Sequence, residues 1–464
     1  MNITKIKLAY IGGGSRQWAR VFMNDLALEA GLSGEIALYD IDAEAAERNR
    51  EIGRRINQSP ACLSRWNYTV SPTLSDALRG ADAVVISILP GTFGEMASDV
   101  HEPEAYGIYQ PVGDTVGPGG VLRAMRTVPQ YETIAREIGL RCPNAWVLNL
   151  TNPMSVCTGA LYDVFPRVKA FGCCHEVFHA KDFLAAVYRE MTGEPGPGRA
   201  ELAADVCGVN HFTWITRATY RAVDLISLLP GFTERFFQKG YCASNPNDPQ
   251  SFRRGDVFQC GNKVKMDLFR RFGALGAAGD RHLAEFCDRG WYLDKPDPFG
   301  EWGFYRTPVP FRIVRQEERR CESEALARGL APVKIAPSGE EAVQLICALA
   351  GRGARVSNVN LPNRGQMPDF PSGMVVETDC LFAEDTLQPL VAGALPPGAK
   401  ALVMQNAINN DNLLKACRAR DMGLAFETFM NQPLCGGLSV GDGERMFARM
   451  CRNTEGYLEG WKLD

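Results

Sequence analysis

The sequence of 464 residues lacks several features that define whole classes of protein. No apolar run approaches the roughly 20 residues that cross a bilayer, which argues against a membrane partner. No dense run of lysine or arginine occurs and the formal charge is −4, so nucleic acid is not expected as a partner either. The N-terminal segment runs directly into a strand and a glycine-rich turn and has no signal-peptide layout.

A disulfide framework is missing although cysteine is abundant. The 15 cysteines are scattered, and they include the adjacent pair Cys173 and Cys174, which argues against a set of disulfides. The chain is 45% hydrophobic, as ordinary globular proteins are, so extended disorder is excluded. These observations predict a globular cytoplasmic protein with reduced thiols.

Short apolar runs alternate with segments of helical period through the first 175 residues. Such alternation predicts βαβ units and a parallel sheet. A Gly- and Pro-rich loop at 193–199 is followed by one more apolar run and a long mixed region. The sequence therefore predicts an α/β protein, with a Rossmann-like doubly wound parallel sheet over residues 1–192 and a mixed α/β domain over 200–464. The predicted strands of the first region and the strand after the loop are 6–11, 36–39, 83–89, 145–150, 168–172 and 202–209.

A glycine-rich turn lies between the first predicted strand and the first predicted helix. Gly12, Gly14 and Ser15 belong to the run Gly-Gly-Gly-Ser, where glycine permits a tight turn and a close approach to a pyrophosphate. The usual dinucleotide fingerprint has a third glycine at the position of Gln17, so the turn alone is a weak signal. A structural glycine turn is an equally good interpretation of this run.

Asp40 strengthens the nucleotide interpretation. It ends the second predicted strand, where an acidic residue accepts the ribose hydroxyls of NAD, and its charge would repel the 2′-phosphate of NADP. The alternative is that Asp40 caps the following helix, a role that Asp42 could fill equally well. Strand, turn, helix, strand and acid occur in order, which favours an NAD site at Gly12, Gly14, Ser15 and Asp40.

Histidine is scarce, with five residues in the chain, and most of them fall in segments typical of site loops. Cys174 and His175 follow one predicted strand, and His211 follows another, at the carboxyl ends where ligands bind in open α/β sheets. A thiolate and an imidazole can share a divalent transition metal. Ordinary packing of a buried cysteine and a buried histidine explains the pattern about as well.

Two further loops carry polar side chains at predicted strand ends. Asn152 stands beside a proline turn, where its amide could bind sugar hydroxyls or serve ordinary turn chemistry. The Gly-rich loop 114–120 opens a helix with Arg123 and Arg126, which suits an anion or substrate lid. A solvated helix face is an equally good explanation of either arginine.

In combination these residues resemble glycoside hydrolase family 4, the glycosidases that depend on NAD and a divalent metal ion. The segments 172–178 and 278–286 are most similar to those of the α-galacturonidases, while α-galactosidases, α-glucosidases and α-glucuronidases share the same frame. The segments that carry the resemblance, in order along nearly the whole chain, are the turn with Asp40, 114–120 with Arg123, 152–154, 174–175, 210–211, 360–365 and 375–377.

The resemblance implies a fold like that of lactate and malate dehydrogenases and an unusual hydrolysis. Family 4 departs from the two-carboxylate scheme of most glycosidases. It implies that NAD takes hydride from carbon 3 of the sugar and that a metal ion, Mn²⁺ in our interpretation, stabilises the enediolate. Elimination across carbons 1 and 2, addition of water and return of the hydride complete the cycle. Family members usually form homodimers or homotetramers.

The resemblance also implies roles for individual residues. Cys174 and His211 match the metal ligands, and Asn152 matches the residue that holds sugar hydroxyls near the metal. His175 falls where other members assist departure of the leaving group. Asp280 is the candidate base, with a salt bridge to Arg281 as the alternative interpretation.

A uronide is the expected substrate because a carboxylate at carbon 6 requires cations in its pocket. Arginine grips a carboxylate bidentately, so Arg123 and Arg281 are candidates, together with His282. The competing hypotheses are an NAD-dependent hydroxy-acid dehydrogenase and a non-catalytic NAD sensor. Neither of them needs the Cys174–His211 pair.

Overall fold

The computed structural model describes residues 3–245, 248–249 and 257–462. Its centre is a sheet of 13 strands in the order β10-β8-β7-β12-β11-β6-β5-β4-β1-β2-β3, with β13 paired to β12 and β9 to β8. Among the described residues, no helix combines the length and the apolar character needed to cross a bilayer.

The strands occupy both halves of the chain. They are β1 (Thr4–Ile11), β2 (Leu32–Tyr39), β3 (Trp66–Val70), β4 (Ala83–Ile86), β5 (Trp146–Asn149), β6 (Lys169–Gly172), β7 (Ala203–Val209), β8 (Phe212–Tyr220), β9 (Val223–Asp224), β10 (Leu275–Gly276), β11 (Arg355–Pro362), β12 (Val375–Ala383) and β13 (Thr386–Pro389).

Helices cover the sheet and are the main secondary structure of the C-terminal half. They are α1 (Trp18–Ala27), α2 (Ala43–Ile56), α3 (Leu74–Leu78), α4 (Phe93–His101), α5 (Gly117–Arg141), α6 (Met154–Val164), α7 (Glu176–Thr192), α8 (Leu229–Phe236), α9 (Lys263–Phe272), α10 (Asp280–Glu285), α11 (Arg289–Tyr292), α12 (Phe299–Trp302), α13 (Val309–Arg328), α14 (Ala342–Leu349), α15 (Pro397–Ala419), α16 (Met422–Met430) and α17 (Val440–Asn453).

The first six strands are parallel and lie in the order β3-β2-β1-β4-β5-β6. This is the order of a dinucleotide-binding Rossmann sheet, whose crevice opens between β1 and β4, where the strand order reverses. All four residues of β4 are buried, as expected of a strand covered on both faces. The predicted α/β fold class and all six predicted strands are confirmed.

The antiparallel strands extend the same sheet. β11 pairs with β6 through Asn360 and Gly172, and β12 pairs with β7, so β11 and β12 lie between the parallel half and the β7–β8 hairpin. The sequence analysis missed β3 and every strand after β7, of which β8, β11 and β12 are the longest. The strand insertion carries the loop at His211 toward the carboxyl ends of the parallel strands, where the site is built.

A buried ion pair fixes α4 against α5 beside the site. Arg126 donates to both carboxylate oxygens of Asp99, one at 3.0 Å through Nη1, and its Nε donates to the carbonyl of Pro90 at 3.0 Å. Both side chains are almost fully buried. Arg126 was predicted to serve an anion or substrate lid or to lie on a solvated helix face. Both interpretations are wrong, because its guanidinium is buried and paired with Asp99.

Candidate active site

The glycine-rich turn follows β1 at the crevice between β1 and β4. Gly12 has a φ of +89°, and a Cβ there would lie 2.0 Å from the carbonyl oxygen of Ser87. A Cβ on Gly14 would lie 2.9 Å from the carboxyl carbon of Asp40. Only glycine fits these two positions, because any side chain would collide with Ser87 or Asp40.

Asp40 binds the glycine turn and does not cap the following helix. Its carboxylate accepts hydrogen bonds from the backbone N–H of Gly14 at 2.8 Å and of Asp42 at 2.9 Å. Asp42 caps α2 instead, accepting from the N–H of Ala45 at 3.0 Å. A carboxylate has about four acceptor positions, so Asp40 retains capacity for the hydroxyls of a ribose.

A histidine–carboxylate cluster, formed by Asp114, His211 and His282, lies at the same edge of the sheet. One ligand atom from each of the three lies within 4.8 Å of the others. The rings of His211 and His282 stack at a centroid distance of 4.2 Å, and the hydroxyl of Thr115 lies 3.1 Å from Nδ1 of His211. Two imidazoles and one carboxylate form a donor set suited to a divalent transition metal.

The charges in this cluster are strongly coupled. Burial acts to raise the pKa of Asp114, but Arg123, His282 and His211 outweigh it and hold that pKa well below its usual range. Burial, reinforced by His282, lowers the pKa of His211 to about 3, and burial also lowers the pKa of His282. The cluster therefore presents an ionised carboxylate and neutral imidazoles, the protonation states that metal binding requires.

A second buried carboxyl group holds the loop that carries Asp114. Glu285, at the end of α10, accepts hydrogen bonds from the N–H groups of Val112 at 2.7 Å and Gly113 at 2.8 Å. Burial raises the pKa of Glu285 to about 8. The helix α10 therefore positions two members of the cluster. It carries His282 directly, and through Glu285 it holds the loop that precedes Asp114.

Glu176 connects the cluster to the start of α7. Its Oε2 accepts from the N–H of Gly279 at 2.7 Å, and its Oε1 lies 3.8 Å from Nε2 of both His175 and His282. Burial acts to raise the pKa of Glu176, but His282 and His175 hold it well below its usual range. His175 itself is half-buried, and its ring centroid lies 5.7 Å from that of Trp18.

Cys174 is buried at the end of β6, beside the carboxylate of Glu377. Burial raises the pKa of its thiol well above the usual range, and the charges of Glu377 and Glu176 raise it further. Among the described residues, its sulfur does not belong to the group formed by Asp114, His211 and His282. Its role as a metal ligand beside His211 stays a prediction.

Several buried polar atoms around the cluster have no hydrogen-bond partner among the described residues. They are Oδ1 of Asn152, Oδ1 of Asn210, Nδ1 of His282 and Nε of Arg123. Asn152 does donate through Nδ2 to Asp114 at 3.4 Å. Most buried polar atoms are paired, so this concentration is what a polar ligand or a metal ion would satisfy.

Guanidinium groups surround the same region. Arg123 is buried and its charge acts on Asp114. Arg281 is half-buried, donates to the hydroxyl of Thr307 and lies over the ring of Phe258, 5.2 Å from its centroid. Arg312 donates to the carbonyl of Val112 at 2.6 Å, and the sequence analysis did not identify it. The site therefore offers several cations for an anionic substrate.

Asp280 is fully buried at the start of α10. Its two oxygens accept from the N–H groups of Val264 at 3.2 Å and Lys265 at 3.1 Å, in the first turn of α9. Burial raises the pKa of Asp280 to about 6, opposed by Lys265. The structure thus places its carboxylate against α9, and its role as the base stays a prediction.

Comparison with known proteins assigns most of the chain. Residues 7–190 match the profile of family 4 glycosyl hydrolases, and residues 206–435 match the profile of their C-terminal domain. An α-galacturonidase of Thermoanaerobacter italicus is 46% identical over 98% of each chain. An α-galacturonidase of Bacillus subtilis is 45% identical over 97% of each chain.

Solved structures agree with this assignment. A crystal structure named as a Bacillus subtilis glucosidase has a TM-score of 0.91 at 45% identity, covering 96% of this chain and 99% of its own. A 6-phospho-α-glucosidase from gut microorganisms, in complex with NAD and Mn²⁺, has a TM-score of 0.80 at 20% identity and covers 99% and 100%. A malate dehydrogenase of Naegleria fowleri has a TM-score of 0.51 at 9% identity, covering 90% and 100%, which confirms the predicted dehydrogenase-like fold.

Proposed function

Because the chain belongs to family 4 of the glycosyl hydrolases, we propose that it hydrolyses α-galacturonides, using bound NAD and a divalent metal ion, Mn²⁺ in our proposal. The observation that carries the proposal is the histidine–carboxylate cluster with the buried guanidinium of Arg123 beside it. The relatives named α-galacturonidase, at 42–46% identity over nearly the whole chain, support the choice of glycone.

The residues of this chain fit both NAD and a divalent metal ion. The glycine turn and Asp40 would hold NAD, since the turn leaves no room for side chains and the carboxylate retains acceptor capacity. His211 and Cys174 would hold the metal ion, with Asp114 and His282 as further candidates. The unpaired buried atoms around them are the donors and acceptors that such ligands would satisfy.

NAD, when bound, supplies a hydride acceptor for carbon 3, and the metal ion stabilises negative charge on the oxygens of carbons 2 and 3. In our proposal Asn152 orients a sugar hydroxyl through its unpaired Oδ1. Asp280 removes the proton of carbon 2, and His175 gives a proton to the leaving oxygen. Arg123, Arg281 and His282 bind the carboxylate at carbon 6.

The cluster also separates this proposal from its competitors. A hydroxy-acid dehydrogenase or an NAD sensor would need the glycine turn but has no use for a metal site built on Cys174 and His211. Family membership favours hydrolysis over both. Among glycosidases, an α-galactosidase would need no cation for carbon 6. In this site the charges of Arg123 and Arg312 act on Asp114, and that of Arg281 acts on His282.

We further propose a cytoplasmic location and assembly into a homodimer or homotetramer. The 15 cysteines are all free thiols, which supports a reducing compartment. Ile313 and Val314 on α13 are exposed beside an apolar groove that includes Phe93 and Pro310, and exposed apolar patches of this kind mark protein interfaces.

The proposed activity is tested on a pair of chromogenic substrates. With NAD, Mn²⁺ and a thiol reductant present, we expect 4-nitrophenyl α-galacturonide to be cleaved with a higher kcat/KM than 4-nitrophenyl α-galactoside. Because the hydride returns to the sugar, absorbance at the NADH band should stay constant during turnover. Faster cleavage of the galactoside would contradict the uronide proposal, and steady accumulation of NADH would contradict hydrolysis.

Replacing Asp40 by alanine should weaken NAD binding about 10- to 100-fold. The change removes a charged acceptor for the ribose, which is worth roughly 1.5–3 kcal/mol, and also the bond that fixes Gly14. Calorimetric titration of NAD measures the effect. Asp42→Ala, which removes the cap of α2 but not the bond to Gly14, is the control. Equal NAD affinities of Asp40→Ala and the wild type would refute the assignment.

A further inference from the structure

A second group of metal-ligating side chains lies at the start of α7. It consists of His175, Glu176 and His179, and one ligand atom from each lies within 4.8 Å of the others. The sequence there is His-Glu-Val-Phe-His, which has the spacing that zinc enzymes use to bring two imidazoles together on one helical face. The rings of His175 and His179 lie 5.3 Å apart between centroids.

The distance between His175 and Glu176 is close to that between two ligands of one metal ion. Nε2 of His175 lies 3.8 Å from Oε1 of Glu176, which is longer than a hydrogen bond. Two ligands at about 2.1 Å from a tetrahedral zinc ion are about 3.4 Å apart. This pair is therefore within about 0.4 Å of the separation that a central ion would impose. A ligand nitrogen of His179 lies within 4.8 Å of the other ligand atoms, so rotation of its exposed side chain would complete the site.

The surroundings favour a cation and orient one ligand. Nδ1 of His175 lies 3.6 Å from Oε1 of Glu340, so a carboxylate faces the ring nitrogen opposite the one directed at Glu176. A carboxylate that is hydrogen-bonded to the far nitrogen of a metal-binding imidazole fixes the ring and increases its basicity, and Glu340 is placed just beyond that distance. His179 is exposed, which provides an entry path from solvent.

We propose that His175, Glu176 and His179 bind a second divalent metal ion, of the zinc class, at a site separate from the histidine–carboxylate cluster. Two imidazole nitrogens and one carboxylate oxygen are a donor set of known zinc sites, with a fourth position left for water. Glu176 lies between the two sites, because its Oε1 is also 3.8 Å from Nε2 of His282. The two sites are therefore adjacent and meet at this carboxylate.

Occupancy of the second site would interfere with turnover. A zinc ion bound to Nε2 of His175 would prevent this ring from giving a proton to the leaving group, a consequence that rests on the proposed function. Excess Zn²⁺ should therefore inhibit the wild type more strongly than His179→Ala.

Zinc binding to the full-length protein in the presence of NAD tests the site independently of activity. In equilibrium dialysis with Zn²⁺, the wild type should bind one more ion per chain than His179→Ala does. If the variant still binds that ion, its affinity should be lower by at least about 10- to 100-fold. His179 is exposed on a helix and alanine favours helix, so the variant should fold. His101→Gln, which changes a histidine paired with Glu104 away from α7, is the matched control and should bind as the wild type does.

The outcomes separate this proposal from the proposed function. Equal zinc stoichiometry and affinity in the wild type and His179→Ala would overturn the second site. If the wild type binds a single zinc ion and His179→Ala removes it, the second site stands and the histidine–carboxylate cluster fails as a metal site. Two ions in the wild type and one in the variant would support both.

Discussion

Replacing His211 by alanine should lower kcat on the galacturonide by about 10²- to 10³-fold, while NAD binding is retained. His211 is the buried centre of the histidine–carboxylate cluster, in contact with Thr115 and stacked on His282. Loss of this imidazole removes a ligand of the ion that stabilises charge on the substrate oxygens, and removal of one electrostatic stabiliser of this kind costs about 10²–10³ in kcat. Steady-state kinetics with saturating NAD and Mn²⁺ measures the loss.

Two controls isolate the metal from the fold. His101→Gln removes another histidine and should leave kcat near the wild-type value. Chelation of the wild type should abolish turnover, and added Mn²⁺ should restore it. Circular dichroism checks that His211→Ala is folded, since the residue is buried. Full activity of the folded variant, or of the exhaustively chelated wild type, would refute the role of the cluster.

Replacing Arg123 by methionine should lower kcat/KM for the galacturonide by roughly 30- to 5,000-fold. This corresponds to a loss of about 2–5 kcal/mol in transition-state stabilisation. Arg123 is buried and its Nε has no partner among the described residues. A buried carboxylate that loses its guanidinium partner keeps the cost of desolvation without the compensating ion pair. The neutral galactoside has no carboxylate at carbon 6, so its kcat/KM should fall much less.

The ratio of the two losses is the diagnostic quantity. Arg136→Met is a matched control, because Arg136 lies on the same helix and is exposed beside Glu132. Arg136→Met should leave kcat/KM for both substrates at the wild-type value. Arg281→Met tests the second candidate in the same assay. Equal losses on both substrates for Arg123→Met would mean that this arginine supports the cluster through Asp114 and does not recognise the uronide.

Five of the six parallel strands could be predicted from the sequence because they contain continuous apolar runs. The sixth, β3, lies at the edge of the sheet, is only partly buried and lacks such a run. β11 and β12 could not be predicted either, because buried polar residues interrupt them. Asn358 on β11 donates to Glu377 on β12 at 2.7 Å, and Asn210 donates to the same carboxylate at 3.1 Å. Asparagine and glutamate are poor strand formers, and only the ladder that pairs them makes their burial possible.

The candidate site was predicted in part. His211 and His282 were both identified, the first as a metal ligand and the second as a substrate contact, and the structure stacks them together. Asp114 was missed as a member of the cluster because it is distant from both histidines in sequence and meets them only in the folded chain. Glu176, which lies beside the cluster, was missed as well. Glu176 had a signal in the sequence, since it stands between His175 and His179 in a zinc-type spacing.

The order of strands in the sheet has a consequence for biosynthesis. A ribosome that has completed the chain through α14 has produced β1–β6 and β7–β10, but β11 and β12, which join them, are not yet made. Until then β6 and β7 each present an unpaired strand edge, the kind of surface that nucleates aggregation. The nascent protein is therefore most vulnerable late in translation, and His211 comes to face the parallel sheet only when the last long strands close the gap.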